Sequence, residues 1–268
     1  MSRIATRFAK VKAEGRGALI PFLEAYDPDP ATSMALLRGF PGAGADLIEI
    51  GVPFTDPMAD GPTVQRAGQR GLKAGATLAG TLAMVRDFRR EDDATPVILM
   101  GYYNPILSYG VERFCTDAAA SGVDGLIVVD VPPEEADEIE PATQANGLDL
   151  IRLVAPTTDD ERLPRVLSGT SGFIYYVAIT GITGTRSATS EALAAAIPRV
   201  RAHTTLPIAI GFGVRTPEQA AEAARIADAA VVASNLDEQG RAKPDAVRKV
   251  LDQVRALAEA VRAVRKAA

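Results

Sequence analysis

The segment Glu49-Ile-Gly-Val-Pro-Phe-Thr-Asp-Pro-Met-Ala-Asp60 sets three acids and two prolines directly after an apolar run. Alternation along a strand turns Ile48 and Ile50 away from Glu49, so its carboxyl is expected on an apolar inner side, where desolvation raises a carboxyl pKa toward neutrality. Such a group both gives and takes protons. Asp60, expected on a loop open to water, stays ionised. Two acids whose surroundings separate their pKa values make a proton carrier and an electrostatic stabiliser. The blander alternative is a strand-end Glu salt-bridged inside the fold and an Asp capping a turn before Gly61. Other residue types leave the work to carboxylates and tyrosines. None of the lysines (Lys10, Lys12, Lys73, Lys243, Lys249, Lys266) lies in or at the end of an apolar run, which argues against a Schiff-base aldolase. The single histidine, His203, precedes the run 206–213 and reads as a surface residue, so a histidine-rich metal site and a serine or cysteine triad are excluded. No metal ligand set is expected.

The elements that must position these acids are eight short apolar runs: 18–23, 46–51, 96–101, 125–130, 150–156, 173–179, 206–213 and 229–234. Each is continuously apolar, as parallel strands buried on both faces are. Helical patterns fall between them at 31–40, 62–90, 109–121, 133–146, 160–168, 190–202, 216–226 and 243–265. The fold expected is α/β, a (β/α)8 TIM barrel forming a single domain over 1–268, with an extra N-terminal helix at about 2–14 carrying Ile4, Phe8 and Val11 on one face. A doubly wound open sheet is the alternative, weakened because no G-x-G-x-x-G follows the first run. Barrel active sites lie at the C-terminal strand ends. Glu49 then closes the second strand, and residues 51–61 form the loop above it.

Three further segments, Gly181-Ile-Thr-Gly184, Gly211-Phe-Gly213 and Ala233-Ser234, occupy the loops where barrels bind phosphate with free backbone N–H groups. Tight turns need glycine regardless, so each pair alone is a weak signal. Tyr102, Tyr175 and Phe212 are candidates for an aromatic pocket between the acids and the phosphate. On the residues alone this describes a lyase or isomerase, working without metal, of a small phosphorylated substrate.

The 268 residues are 47% hydrophobic and 24% charged with a net charge of −5, which gives no long-range attraction for nucleic acid. Cys115 is the only cysteine, so no intrachain disulfide forms and a reducing compartment is natural. The N-terminus lacks the apolar centre of a signal peptide, and no run is long enough to span a bilayer. A cytoplasmic location is expected.

LIEIGVPFTDPMADGPTVQ (48–65) closely resembles the signature of the tryptophan synthase alpha chain family, and GYYNPI (101–106), VVDVPPEE (128–135), YYVAITGITG (175–184) and GFGVRTPEQ (211–219) match further segments in order. The resemblance implies retro-aldol cleavage of indole-3-glycerol phosphate to indole and glyceraldehyde 3-phosphate, with no metal or organic cofactor. By the same resemblance Glu49 is the acid/base and Asp60 the acid that holds the indole N–H. Thr183 matches the loop residue that closes over Asp60, Phe22, Tyr102 and Tyr175 match pocket positions, and Gly184, Gly213 and Ser234 match phosphate contacts; Phe212 and Ala233 stay as the residues alone suggest them, a pocket aromatic and a phosphate N–H donor. The family works with a tryptophan synthase beta chain in an alpha2-beta2 heterotetramer. Pro53, Asp56, Asn104 and Pro105 are the partner-facing candidates.

Three departures stand out. The first strand ends PFLEAYDPDP, where the family shows a small or uncharged residue at 24 and glycine at 26. Glu24 alternates with Phe22, so it either enters the same mouth with Tyr26 beside the indole pocket or pairs with an arginine above the barrel. Ala178 stands where serine is common. After the eighth strand, VVASNLDEQGRAKP reaches the final helix quickly, and a shortened helix there weakens an anion site. Two other readings follow: a divergent or altered lyase/aldolase taking a different, unphosphorylated aldol, and a non-enzymatic scaffold for the beta chain.

Overall fold

The computed structural model describes residues 2–178, 190–211, 214–233 and 245–265. Nine strand segments form one parallel sheet: β1 (Ala18–Glu24), β2 (Ile48–Gly51), β3 (Val97–Gly101), β4 (Gly125–Val128), β5 (Asp149–Leu150), β6 (Arg152–Val154), β7 (Ile174–Val177), β8 (Ile208–Gly211) and β9 (Ala229–Ala233). Their spatial order is β5-β4-β3-β2-β1-β9-β8-β7-β6. The two ends of that order are halves of one strand, since β5 and β6 are separated only by Ile151. The sheet therefore closes on itself, and the eight apolar runs are the eight staves of a (β/α)8 barrel.

Around the sheet lie α1 (Arg3–Ala13), α2 (Pro30–Ala43), α3 (Pro62–Lys73), α4 (Leu78–Phe88), α5 (Tyr103–Tyr109), α6 (Val111–Ser121), α7 (Glu140–Ala145), α8 (Leu163–Leu167), α9 (Ser190–Arg201), α10 (Pro217–Ile226) and α11 (Ala246–Ala263). The helix expected over 62–90 is two helices. Gly75 adopts φ +90°, a left-handed conformation that ends α3, and the Thr77 side chain accepts the Gly80 N–H to start α4. The expected 133–146 helix begins as a 3-10 turn at Pro133–Glu138 before α7. Helix α5 was not legible, because its single apolar turn carries no sustained period.

Alternation divides the core into two shells. Ile48, Ile50, Leu99, Leu126 and Ile210 face outward, among the buried side chains of the helices. Ile20, Ile98, Ile127, Ile151 and Ala209 face the barrel interior. Helix α1 crosses the N-terminal end of that interior: Ile4, Phe8 and Val11 join the inner shell, and the Phe8 ring meets Phe173 at 5.7 Å. The helix is tied there by Arg3 on Asp124 (2.9 Å) and Ser2 on Asp149 (2.8 Å). Among the described residues, no helix is long and apolar enough to cross a membrane.

Candidate active site

The C-terminal mouth of the barrel holds Glu49. In β2 its Cα partners are Phe22 in β1 and Ile98 in β3, and its neighbours Ile48 and Ile50 point into the outer shell. The side chain is thereby left inside the barrel, where the residue is 1% exposed and Oε2 has no hydrogen-bond partner among the described residues. Burial, reinforced by the charge of Asp60, pushes the carboxyl up to about 8. At pH 7 Glu49 is thus a neutral acid, ready to donate a proton.

Asp60 closes the loop above β2, one residue before Gly61 caps α3. It is half-buried, less open to water than its loop position suggested. Burial pushes its carboxyl up to about 6, opposed by a hydrogen bond from the Tyr102 hydroxyl. It still carries a negative charge at pH 7. Tyr102 also accepts the Ala59 N–H (3.0 Å), and its ring packs on Phe54 at 5.3 Å, so one phenol pins both ends of the 54–60 loop. Tyr102→Phe is expected to cost about 1–2 kcal/mol of folding free energy. The same change should raise the Asp60 pKa above about 6, which 13C NMR titration of its carboxyl would read.

Phe22, Glu24, Val64, Met100, Tyr102 and Asp60 line one small cavity at this mouth. Tyr175 faces the barrel interior from β7, buried, with Glu49 near enough that its charge helps raise the phenol. Two glycines make room. A Cβ at Gly51 would collide with Glu24 Oε2 and the Phe22 ring, and one at Gly211 would collide with the Tyr175 hydroxyl. Ala233 ends β9 in register with Phe22, on the same rim. Thr183, Gly184, Phe212, Gly213 and Ser234 lie outside the described residues, as does most of the 233–241 segment.

Of the two departures in the first strand, Glu24 does enter the mouth and Tyr26 does not. Tyr26 takes φ +65°, the conformation that suits glycine, and its hydroxyl is turned onto Gly80 at the start of α4. Among the described residues no arginine pairs with Glu24: Arg70 of α3 holds Asp27 through two bonds of 2.6 and 2.8 Å.

The partner-facing candidates separate likewise. Asp56 and Asn104 are exposed and Pro105 is half-buried, but Pro53 is buried against Gly71 of α3. Sequence reasoning missed Met58 and Leu107, which are 74% and 54% exposed and are the large apolar side chains left uncovered among the described residues. Both sit in the segments that carry Asp56 and Asn104. His203 is exposed between α9 and β8. Among the described residues, no three acids, histidines or cysteines converge as a metal site.

Glu49 also leaves a mark on stability. Below about pH 4.5 the carboxyl is neutral folded and unfolded; as pH rises toward about 8, the unfolded chain loses a proton that the folded chain keeps, and stability falls. The loss reaches about 5 kcal/mol above pH 8. Glu49→Gln should therefore raise Tm at pH 9 and leave it little changed at pH 4.5, as read by thermal melts across that range.

A (β/α)8 barrel whose mouth sets a neutral carboxyl and an anionic one against apolar walls is a barrel of the acid/base enzyme class, built to move protons on an apolar substrate. Residues 8–266 match the family described as tryptophan synthase alpha chain. The chain is 68% identical over 275 aligned positions to the tryptophan synthase alpha chain of Granulibacter bethesdensis, covering 100% of this chain and 99% of that one. With that of Acidiphilium cryptum the identity is 66%, covering 100% of both. The crystal structure of tryptophan synthase subunit alpha from Legionella pneumophila superposes with a TM-score of 0.91 at 37% identity, over 98% of this chain and 100% of that one. This chain belongs to the tryptophan synthase alpha chain family.

Proposed function

We propose that the chain cleaves indole-3-glycerol phosphate to indole and glyceraldehyde 3-phosphate, with Glu49 as acid and base and Asp60 as the electrostatic stabiliser. The observation that carries the assignment is the pairing of a protonated Glu49 with an ionised Asp60 at one apolar mouth. The substrate's indole ring is assigned to the side of the mouth walled by Phe22, Val64, Met100 and Tyr102, with its N–H toward Asp60. Glu49 gives its proton to ring carbon C3. The ring becomes a cation, and the Asp60 carboxylate offsets the positive charge growing at nitrogen. Glu49, now the anion, takes the proton of the glycerol hydroxyl next to the ring. The carbonyl forms, the carbon–carbon bond breaks, and its electron pair returns to the ring as indole. Glu49 ends protonated, ready for another turn.

The glycerol phosphate extends toward the rim of Ala233, and Ala233, Gly184, Gly213 and Ser234 are assigned its oxygens, with Thr183 and Phe212 assigned to the pocket. Product indole passes to a tryptophan synthase beta chain seated over Asp56, Asn104 and Pro105, with Met58 and Leu107 supplying its apolar contact. Tyr175 stands at the floor of the pocket beside Glu49. The chain is assigned to the cytoplasm with its biosynthetic relatives.

The test is indole release from indole-3-glycerol phosphate by the purified chain, with and without a beta chain. Slow release that the beta chain accelerates supports the assignment. No release in either condition, with turnover of an unphosphorylated aldol, moves the chain to the altered-substrate reading.

A further inference from the structure

Glu24 is a buried acid that the mechanism above does not use. It is 8% exposed at the end of β1, in register with Gly51 and one pleat above the Phe22–Glu49 pair. Its carboxyl occupies the space left by two missing side chains: Oε2 fills the Cβ position that Gly51 lacks, and Oε1 lies 3.5 Å from the one that Gly68 of α3 lacks. No hydrogen bond reaches it from the described residues. A buried carboxyl in that condition stays protonated, and burial together with the charges of Asp60 and Asp27 does push it well above the ordinary carboxylate range. A buried O–H then needs an acceptor.

The cavity it lines offers one. Its walls include Phe22, Val52, Val64 and Met100, and its polar side chains besides Glu24 are Tyr102 and Asp60. The Tyr102 hydroxyl already gives its proton to Asp60 and accepts from Ala59. Asp60 is the anion, and among the charges acting on Glu24 it has the largest influence, ahead of Asp27, Arg70 and Glu49. Arg70 is engaged with Asp27 through two bonds.

We propose that Glu24 is a positioning residue for Asp60: its carboxyl O–H donates to the Asp60 carboxylate, and together with the Tyr102 hydroxyl it holds that anion aimed at the ring nitrogen of the substrate. The proposal rests on the assignment of Asp60 given above. In this arrangement Glu24 joins Tyr102 as a second donor to one carboxylate, and each favours its ionised form. The acid that alternation places in the mouth thus works through its proton, adding a donor beside Asp60 where a second charge would repel it.

Two variants test this. Glu24→Leu removes the donor at similar volume, and Glu24→Gln keeps one donor while removing the titration. For Glu24→Leu, 13C NMR titration should find the Asp60 carboxyl about one unit higher than in the parent chain. The acid limb of kcat/KM for indole-3-glycerol phosphate should move up by the same amount, so that the rate at pH 6 falls about fivefold. In Glu24→Gln both readouts should return most of the way to the parent. In an Asp60→Asn background the Glu24→Leu change should add less than about twofold, because its route of action is gone. An Asp60 titration that does not move in Glu24→Leu overturns the proposal, as does an equal loss with and without Asp60. A failure of the parent chain to cleave indole-3-glycerol phosphate would instead sink the assigned reaction, while the NMR titration would still decide the Glu24 contact. If Glu24→Leu does not fold, Glu24→Met takes its place with the same expected displacement, and an Asp60 titration displaced upward by a full unit in Glu24→Gln, which keeps a donor, also counts against the proposal.

Discussion

Glu49→Gln is expected to lower the rate of indole release by about 10³–10⁴-fold, because the same side chain both protonates the ring and deprotonates the hydroxyl. Glutamine matches glutamate in shape and fits a residue with 1% exposure, so circular dichroism should show an intact fold. The loss belongs in kcat, since the neutral acid and the amide present similar surfaces to the bound substrate. The pH profile gives the sharper check. The active form carries the proton, so the parent rate should fall as pH rises through about 8, and that alkaline limb should vanish in the variant. A rate within tenfold of the parent, with the limb intact, would assign the proton transfer to another group.

Asp60→Asn should slow release by about 10²–10³-fold, in the range found when one preorganised stabiliser of developing charge is removed. Asparagine still offers an oxygen to the indole N–H, so binding survives better than turnover and KM should change less than kcat. Here the active form is the anion. The parent rate should fall as pH drops through about 6, and the variant should lose that acid limb. Both limbs are macroscopic properties of interacting acids, and each variant should displace the remaining limb slightly as well as erase its own. Turnover equal to the parent would leave Asp60 a turn residue before α3.

Much of this site was legible because its physics is local. The strand alternation that put Ile48 and Ile50 outside put Glu49 inside, and no long-range contact was needed to deduce it. The eight strands were legible for the same reason, each being apolar on both faces. What was hidden depended on partners distant in the chain. The position of Asp60 suggested open water, yet Tyr102, from the next strand end, covers it. Tyr26 looked like a pocket residue by proximity, but a single positive φ swings it onto Gly80. The choice left open for Glu24 falls to the mouth, and Arg70, which acts on its charge, is paired with Asp27. The split of the 62–90 helix was signalled by Gly75 and Thr77, and only the unbroken polar spacing around them masked it.

Helix α1 has a bearing on traffic. With Ile4, Phe8 and Val11 seated in the inner shell, the barrel is a cup with a sealed floor. Among the described residues α1 closes that end, so an apolar product released beside Glu49 is directed upward, toward the rim where Met58 and Leu107 stand uncovered. A lid placed on that rim by another subunit would turn the cup into a one-way chute, so the direction of delivery is set at the end of the barrel farthest from the receiver.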